Sequence, residues 1–165
     1  MRRVRKVKVD KRGKISLDWE VQIGHSDNFD EYHMLCSDKA RTEFYKAMEA
    51  LCQDVLTLLE YPDTWLNDIT VKGVSFSYSQ NGVKGAVITA QRTLQHSTAP
   101  ENCNTPHKPY EMYADEADDP DGTMTLPEDT QDRLDALDEE AQRYIDGDRS
   151  QMSLDFEEKK EEGEA

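Results

Sequence analysis

Cross-links, membrane spans and phosphate loops are what this chain does without. Three cysteines in 165 residues, an odd number, do not suggest a disulfide framework. No run of about 18 apolar residues occurs, so no membrane-spanning helix is expected. The basic start is not followed by the apolar stretch of a secretion signal, and the simplest setting is a reducing cytoplasm. Eight glycines are scattered, with neither a Gly-Lys-Ser/Thr triplet nor a Gly-x-Ser-x-Gly elbow. Phosphate-cradling and nucleophile-elbow enzymes are thereby excluded. No catalytic residue and no cofactor is nominated.

Charge is what the chain has most of, and it is unevenly placed. The net charge is -15. Residues 1–113 carry equal numbers of basic and acidic side chains, so the whole excess falls within 114–165. This divides a neutral body, 1–113, from an acidic tail, 114–165. The first fourteen residues reverse the sign: Arg2, Arg3, Arg5, Lys6, Lys8, Lys11, Arg12 and Lys14 face a single acid, Asp10. Such a cluster suits contact with a phosphate backbone. Equally, it suits an edge strand guarded against aggregation by charge.

The body reads as α+β. Ile15, Leu17, Trp19, Val21 and Ile23 alternate with polar residues, the period of a half-buried strand. Val4, Val7 and Val9 supply a partner across an Asp10-Lys11-Arg12-Gly13 turn. A short strand over 30–36 follows, with Tyr32, Met34 and Cys36 on one side. Ser37 or Asp38 then resembles a helix cap. From about 39 to 60, Phe44, Met48, Leu51, Val55 and Leu58 form one stripe of a long amphipathic helix, stopped by Pro62. A second hairpin spans 69–94. Gly73 marks a change of parity and hence a bulge, and Asn81-Gly82 marks the turn. A two-residue turn would set Phe76 opposite Val87 and out of phase with Ala86, Ile88 and Ala90, so a longer loop or a bulge is required. The expected fold is an antiparallel sheet of four to five strands, in two hairpins, on one long helix.

Prolines at 100, 106 and 109 suggest a loop over 95–113, and 114–122 an acidic linker. Thr125 and Glu128 have capping-box spacing. Leu134, Leu137, Ala141, Tyr144 and Ile145 then make a thin helical stripe to about 146, closed by Gly147. So narrow a stripe predicts a marginal helix in a partly disordered tail.

One metal-ligand set is present in principle. His33-x-x-Cys36 and Cys103-x-x-x-His107 offer two Cys and two His for a tetrahedral Zn²⁺. On a strand, however, His33 and Cys36 would face opposite sides. A surface His, a buried Cys and two loop residues are the simpler account.

Near the C-terminus, Gln151-Met152-Ser153-Leu154-Asp155-Phe156 resembles the hexapeptide by which bacterial replication and repair proteins bind the DNA sliding clamp, the β subunit of the replicative polymerase. Gln151, Met152, Ser153, Leu154 and Phe156 fit that pattern. The resemblance implies that Leu154 and Phe156 fill an apolar pocket, at about 1.5–3 kcal/mol each, while the Gln151 amide satisfies a polar one. Less the cost of ordering the peptide, roughly micromolar affinity follows. The body loosely resembles small bacteriophage proteins encoded among recombination and replication genes, through Val74-Ser75-Phe76-Ser77-Tyr78 and Asn104-Thr105-Pro106-His107. Together these imply a phage-type DNA replication or recombination accessory protein that docks on the host sliding clamp. Two alternatives stand beside it. One is an acidic inhibitor or DNA mimic acting on a basic partner. The other is a nucleic-acid binder using the basic hairpin.

Overall fold

A computed structural model describes residues 1–112 and 123–150. The fold is α+β, an antiparallel sheet covered on one face by helices. Strands β1 (Arg2–Val9) and β2 (Ile15–Gln22) form the first hairpin, and β3 (Phe29–Cys36) extends it. Helices α1 (Thr42–Ala50) and α2 (Cys52–Leu59) follow, then a 3-10 turn over Asp63–Asp68. The second hairpin is β4 (Ile69–Tyr78) and β5 (Lys84–Arg92). Short strands β6 (Glu101–Asn104) and β7 (Lys108–Pro109) both pair with β5, and α3 (Glu128–Ile145) completes the described chain. The strand order is β3-β2-β1-β4-β5-β6, with β7 beside β5. The sheet is therefore larger than the four or five strands expected. The two extra strands lie where prolines hide the strand period.

The stripe over 39–60 is buried as its spacing predicts, on a helical stretch of two segments, α1 and α2, separated only by Leu51. Its Phe44, Met48, Leu51 and Val55 all reach the core. The helix begins at Thr42, without a side-chain cap from Ser37 or Asp38. It tightens at Leu51, whose amide donates to Met48 O, before α2 resumes. Gly73 confirms its bulge: between Val71 and Gly73 the β4–β5 register shifts, leaving Lys72 as the extra residue. A longer loop resolves the hairpin mismatch. The Ser79 amide bonds Val83 O, three residues close the turn, and Phe76 lies opposite Ala86.

The helix expected near 126–146 is present, and it is a wall of the core. Leu134, Leu137, Ala141 and Tyr144 are fully buried, in the same cluster as Val4, Val7, Phe44 and Phe76. Four apolar residues do not hold a helix in place unaided. Polar ties add to them. Tyr144 Oη donates to Asp38 O at 2.6 Å, and Lys84 Nζ reaches Asp135 and Asp138 at 3.0 and 2.6 Å. The N-cap is Pro127 rather than Thr125. At the other end Gly147 takes φ 91, and the amides of Gly147 and Asp148 bond Tyr144 O and Arg143 O. This is the left-handed stop that glycine accommodates without a side-chain clash.

Candidate nucleic-acid interface

All three helices pack on one face of the sheet, so no described helix covers the opposite face. Cross-strand neighbours share a face in an antiparallel pair, which identifies its rows. One row runs Leu35, Ser16, Lys8, Gly73, Thr89, Asn104. The next runs His33, Asp18, Lys6, Ser75, Val87. Gln91 and Asn102 form a further pair. The face carries Lys6 and Lys8 among hydroxyls and amides, with Asp18, Glu20, Glu31 and His33 toward the β3 side and Leu35 and Val87 as its apolar members.

The eight N-terminal cations separate into two sets. Arg2 turns to the helix side, where it donates to Gln142 and, at 2.8 and 3.1 Å, to Asp146. Arg3 pairs with the buried Glu20 and stacks over Phe29 at 3.9 Å. Arg5, the residue at the β1 irregularity, lies 3.6 Å from the same carboxylate. These three are used internally. Lys6, Lys8, Lys11, Arg12 and Lys14 make no ion pair with any described residue. The turn's one acid is occupied by the turn: Asp10 Oδ1 accepts from the amides of Arg12 and Lys14 at 2.8 and 2.9 Å.

A sixth cation joins them from a distant part of the chain. Lys72, the bulged residue of β4, lines a groove of about 250 Å³ with Lys8, Lys11, Thr89, Gln91 and Asn102. Gly73 is what allows this. A Cβ there would collide with the Val7 carbonyl oxygen, so only glycine lets β4 close on β1. The sequence marked the bulge but not which side chain it would deliver.

β1 is not an edge strand. It lies between β2 and β4. Its lysines therefore do not guard an edge, since both edges of β1 are already paired. What remains is Lys8, Lys11 and Lys72 lining one groove with Asp10, and Lys6, Arg12 and Lys14 on the adjoining strand and turn, against Asp18 and Glu31 on the same face, with uncharged donors and acceptors between them. Lysines at i and i+2 of a strand lie about 6.6 Å apart. The arrangement offers point charges for an anionic backbone and amides for its neutral edges.

The Cys2His2 set is not assembled. β3 and β6 are the two ends of the strand order, about 24 Å apart at 4.8 Å per strand step. His33 bonds Asp18 on the open face, while Cys36 lies beneath the Arg149 guanidinium on the helix face. Cys103 is buried near Tyr61 Oη, and His107 Nε2 bonds Ser77 Oγ at 2.7 Å over Gly85. Among the described residues no group of three or more His, Cys, Asp or Glu is placed to hold a metal ion.

Gln151, Met152, Ser153, Leu154 and Phe156 lie outside the described residues, as does the acidic linker. The chain is fixed up to their threshold. Arg149 reaches Asp38 Oδ2 at 2.7 Å, and the Ser150 amide bonds Lys39 O at 3.0 Å. No helix among the described residues is long and apolar enough to cross a membrane. Comparison with family models, with curated proteins and with solved structures gave no match.

Proposed function

We propose that this protein is a nucleic-acid-binding accessory factor of DNA replication or recombination, which lays its open sheet face against a phosphate backbone. One observation carries the reading. Lys8, Lys11 and Lys72 line one groove, Lys6, Arg12 and Lys14 lie on the adjoining strand and turn, and none of the six makes an ion pair with a described residue, although acids outnumber bases in the chain. A protein that needed these cations for stability would have paired them. Three free thiols fit the reducing cytoplasm in which such a factor would work.

The acidic-mimic alternative has less support. Acids of α3 and of its C-terminal cap are engaged inside the molecule, Asp135 and Asp138 by Lys84 and Asp146 by Arg2. The test is titration of fluorescent duplex and single-stranded oligonucleotides with the full chain at several salt concentrations. The expected result is salt-sensitive binding, lost in the Lys8→Glu/Lys11→Glu/Lys72→Glu variant. Equal binding by that variant, or none by the native chain at low salt, overturns the reading.

On the same reading, residues 151–156 dock on a bacterial DNA sliding clamp and bring the basic face to DNA, as an accessory factor of a bacteriophage would require. The support is the hexapeptide itself, which follows directly in sequence on the fixed Arg149 and Ser150. Titration of purified clamp with the full chain tests it. Micromolar binding should disappear with Leu154→Ala/Phe156→Ala. Unchanged binding would remove the clamp from the account and leave the basic face standing.

A further inference from the structure

The outer edge of β3 is long and pairs with no strand among the described residues. Alternate residues along its eight present a free row of backbone donors and acceptors to which no described strand is bonded. The opposite edge, β6, has only four residues. Natural edges are usually shortened, covered, or broken by proline or charged side chains; Phe-Asp-Glu-Tyr-His-Met-Leu-Cys is full length and holds no proline or lysine, and its only carboxylates are the adjacent Asp30 and Glu31. The strand also exposes apolar surface, with Tyr32 at 47% and Leu35 at 56% accessibility.

We propose that β3 pairs with β3 of a second copy of this chain, making a two-fold dimer whose sheet is continuous. The sequence of the strand selects both the partner and the register. An antiparallel pair with its two-fold axis normal to the sheet brings residues of equal parity together, because opposed side chains share a face. Two registers centre on the exposed stretch. Centred on Tyr32, each Glu31 faces the other copy's His33, each Phe29 faces Leu35, and the two Tyr32 rings meet. Each ring already stacks on its own Trp19, with centroids 5.6 Å apart, so the meeting extends an aromatic row across the boundary. Centred on His33, the imidazoles oppose each other and Glu31 faces Leu35, which removes both matches. The Tyr32-centred register is therefore favoured. Asp30 faces Met34 in it, and no two acids are directly opposed.

The two-fold axis leaves both helix layers on one side and both open faces on the other. Dimerisation does not depend on what those faces bind, so it stands or falls apart from the nucleic-acid reading.

Light scattering or sedimentation of the full chain across a concentration range reads the assembly directly. The expected mass is twice that of the 19.0 kDa chain, falling to one chain in Tyr32→Lys/Leu35→Lys. Both side chains are exposed in a single chain, and an unchanged circular dichroism melt confirms that the variant is folded. Cross-linking reads the register. In a Cys36→Ser background, Tyr32→Cys should oxidise to a covalent dimer, since directly opposed Cα atoms lie about 4.5–5.5 Å apart, within disulfide reach. Leu35→Cys should not, because its symmetry mate would lie about 20 Å along the strand. A monomer at all concentrations, a dimer indifferent to Tyr32→Lys/Leu35→Lys, or cross-linking through Leu35→Cys alone would each overturn the proposal.

Discussion

Asp54 of α2 and Arg133 of α3 hold each other in a two-pronged pair, with Nε and one terminal nitrogen each 2.7 Å from a carboxylate oxygen. Asp54 is 2% exposed. Thr130 Oγ1 also donates to it at 2.6 Å. A carboxylate is stable at such a position only with its charge matched and its lone pairs occupied. α3 supplies both requirements from successive turns. Arg133→Ala should therefore cost about 3–5 kcal/mol, because it leaves a buried charge unpaired. Urea unfolding of the full chain measures this. Thr130→Val removes one neutral donor and should cost less, about 1–3 kcal/mol.

Leu137→Ala should destabilise by about 2–5 kcal/mol, since the side chain is fully buried between α3 and the sheet. By the same reasoning residues 1–112 alone should fail to give a cooperative melt. They would expose the apolar surface that α3 covers. A chain ending at Ser150 keeps every described core contact and should melt as the full chain does.

Gly73→Ala should be strongly destabilising despite the small change in volume. The added methyl meets the backbone of β1 rather than a movable side chain. Since neither strand can retreat without losing ladder bonds, the expected consequence is a lower melting temperature together with weakened nucleic-acid binding. Lys72→Ala at the neighbouring position should weaken binding and leave the melt unchanged.

Alkaline pH should unfold the protein through its tyrosines. Burial raises the phenols of Tyr78, Tyr110 and Tyr144 well above the ordinary value. Tyr110 is raised further by donating to the Asp135 carboxylate at 2.9 Å. The folded pKa thus exceeds the unfolded one, near 10. The stabilisation is complete below about pH 10 and is lost as pH rises above it, where the unfolded chain releases protons that the folded chain retains. Melting temperature measured from pH 8 to 11 should fall steeply over the last unit, and a flat profile would contradict this.

The salt dependence of nucleic-acid binding gives a count of contacts. If Lys8, Lys11 and Lys72 each touch a phosphate, replacing all three with alanine should reduce the slope of log affinity against log salt by about 2–3. An unchanged slope would place the phosphates elsewhere on the molecule.

What the sequence determined by itself was local and periodic. The alternation from Ile15 to Trp19, the stripe from Phe44 to Val55, the bulge at Gly73 and the helix stop at Gly147 are legible because each depends on neighbours within a few residues. Tertiary structure decided everything that joins distant residues. It made β1 an interior strand, which changed the meaning of its lysines. It sent Arg2, Arg3 and Arg5 to internal partners, brought Lys72 to the groove, and set His33 and Cys103 at opposite edges. It also made a core wall of α3, whose thin apolar stripe is supplemented by Asp54, Lys84 and Arg2 from other parts of the chain. The physical reason is that a charge's role depends on which opposite charge lies within a few ångströms after folding. Spacing along the chain carries no record of that.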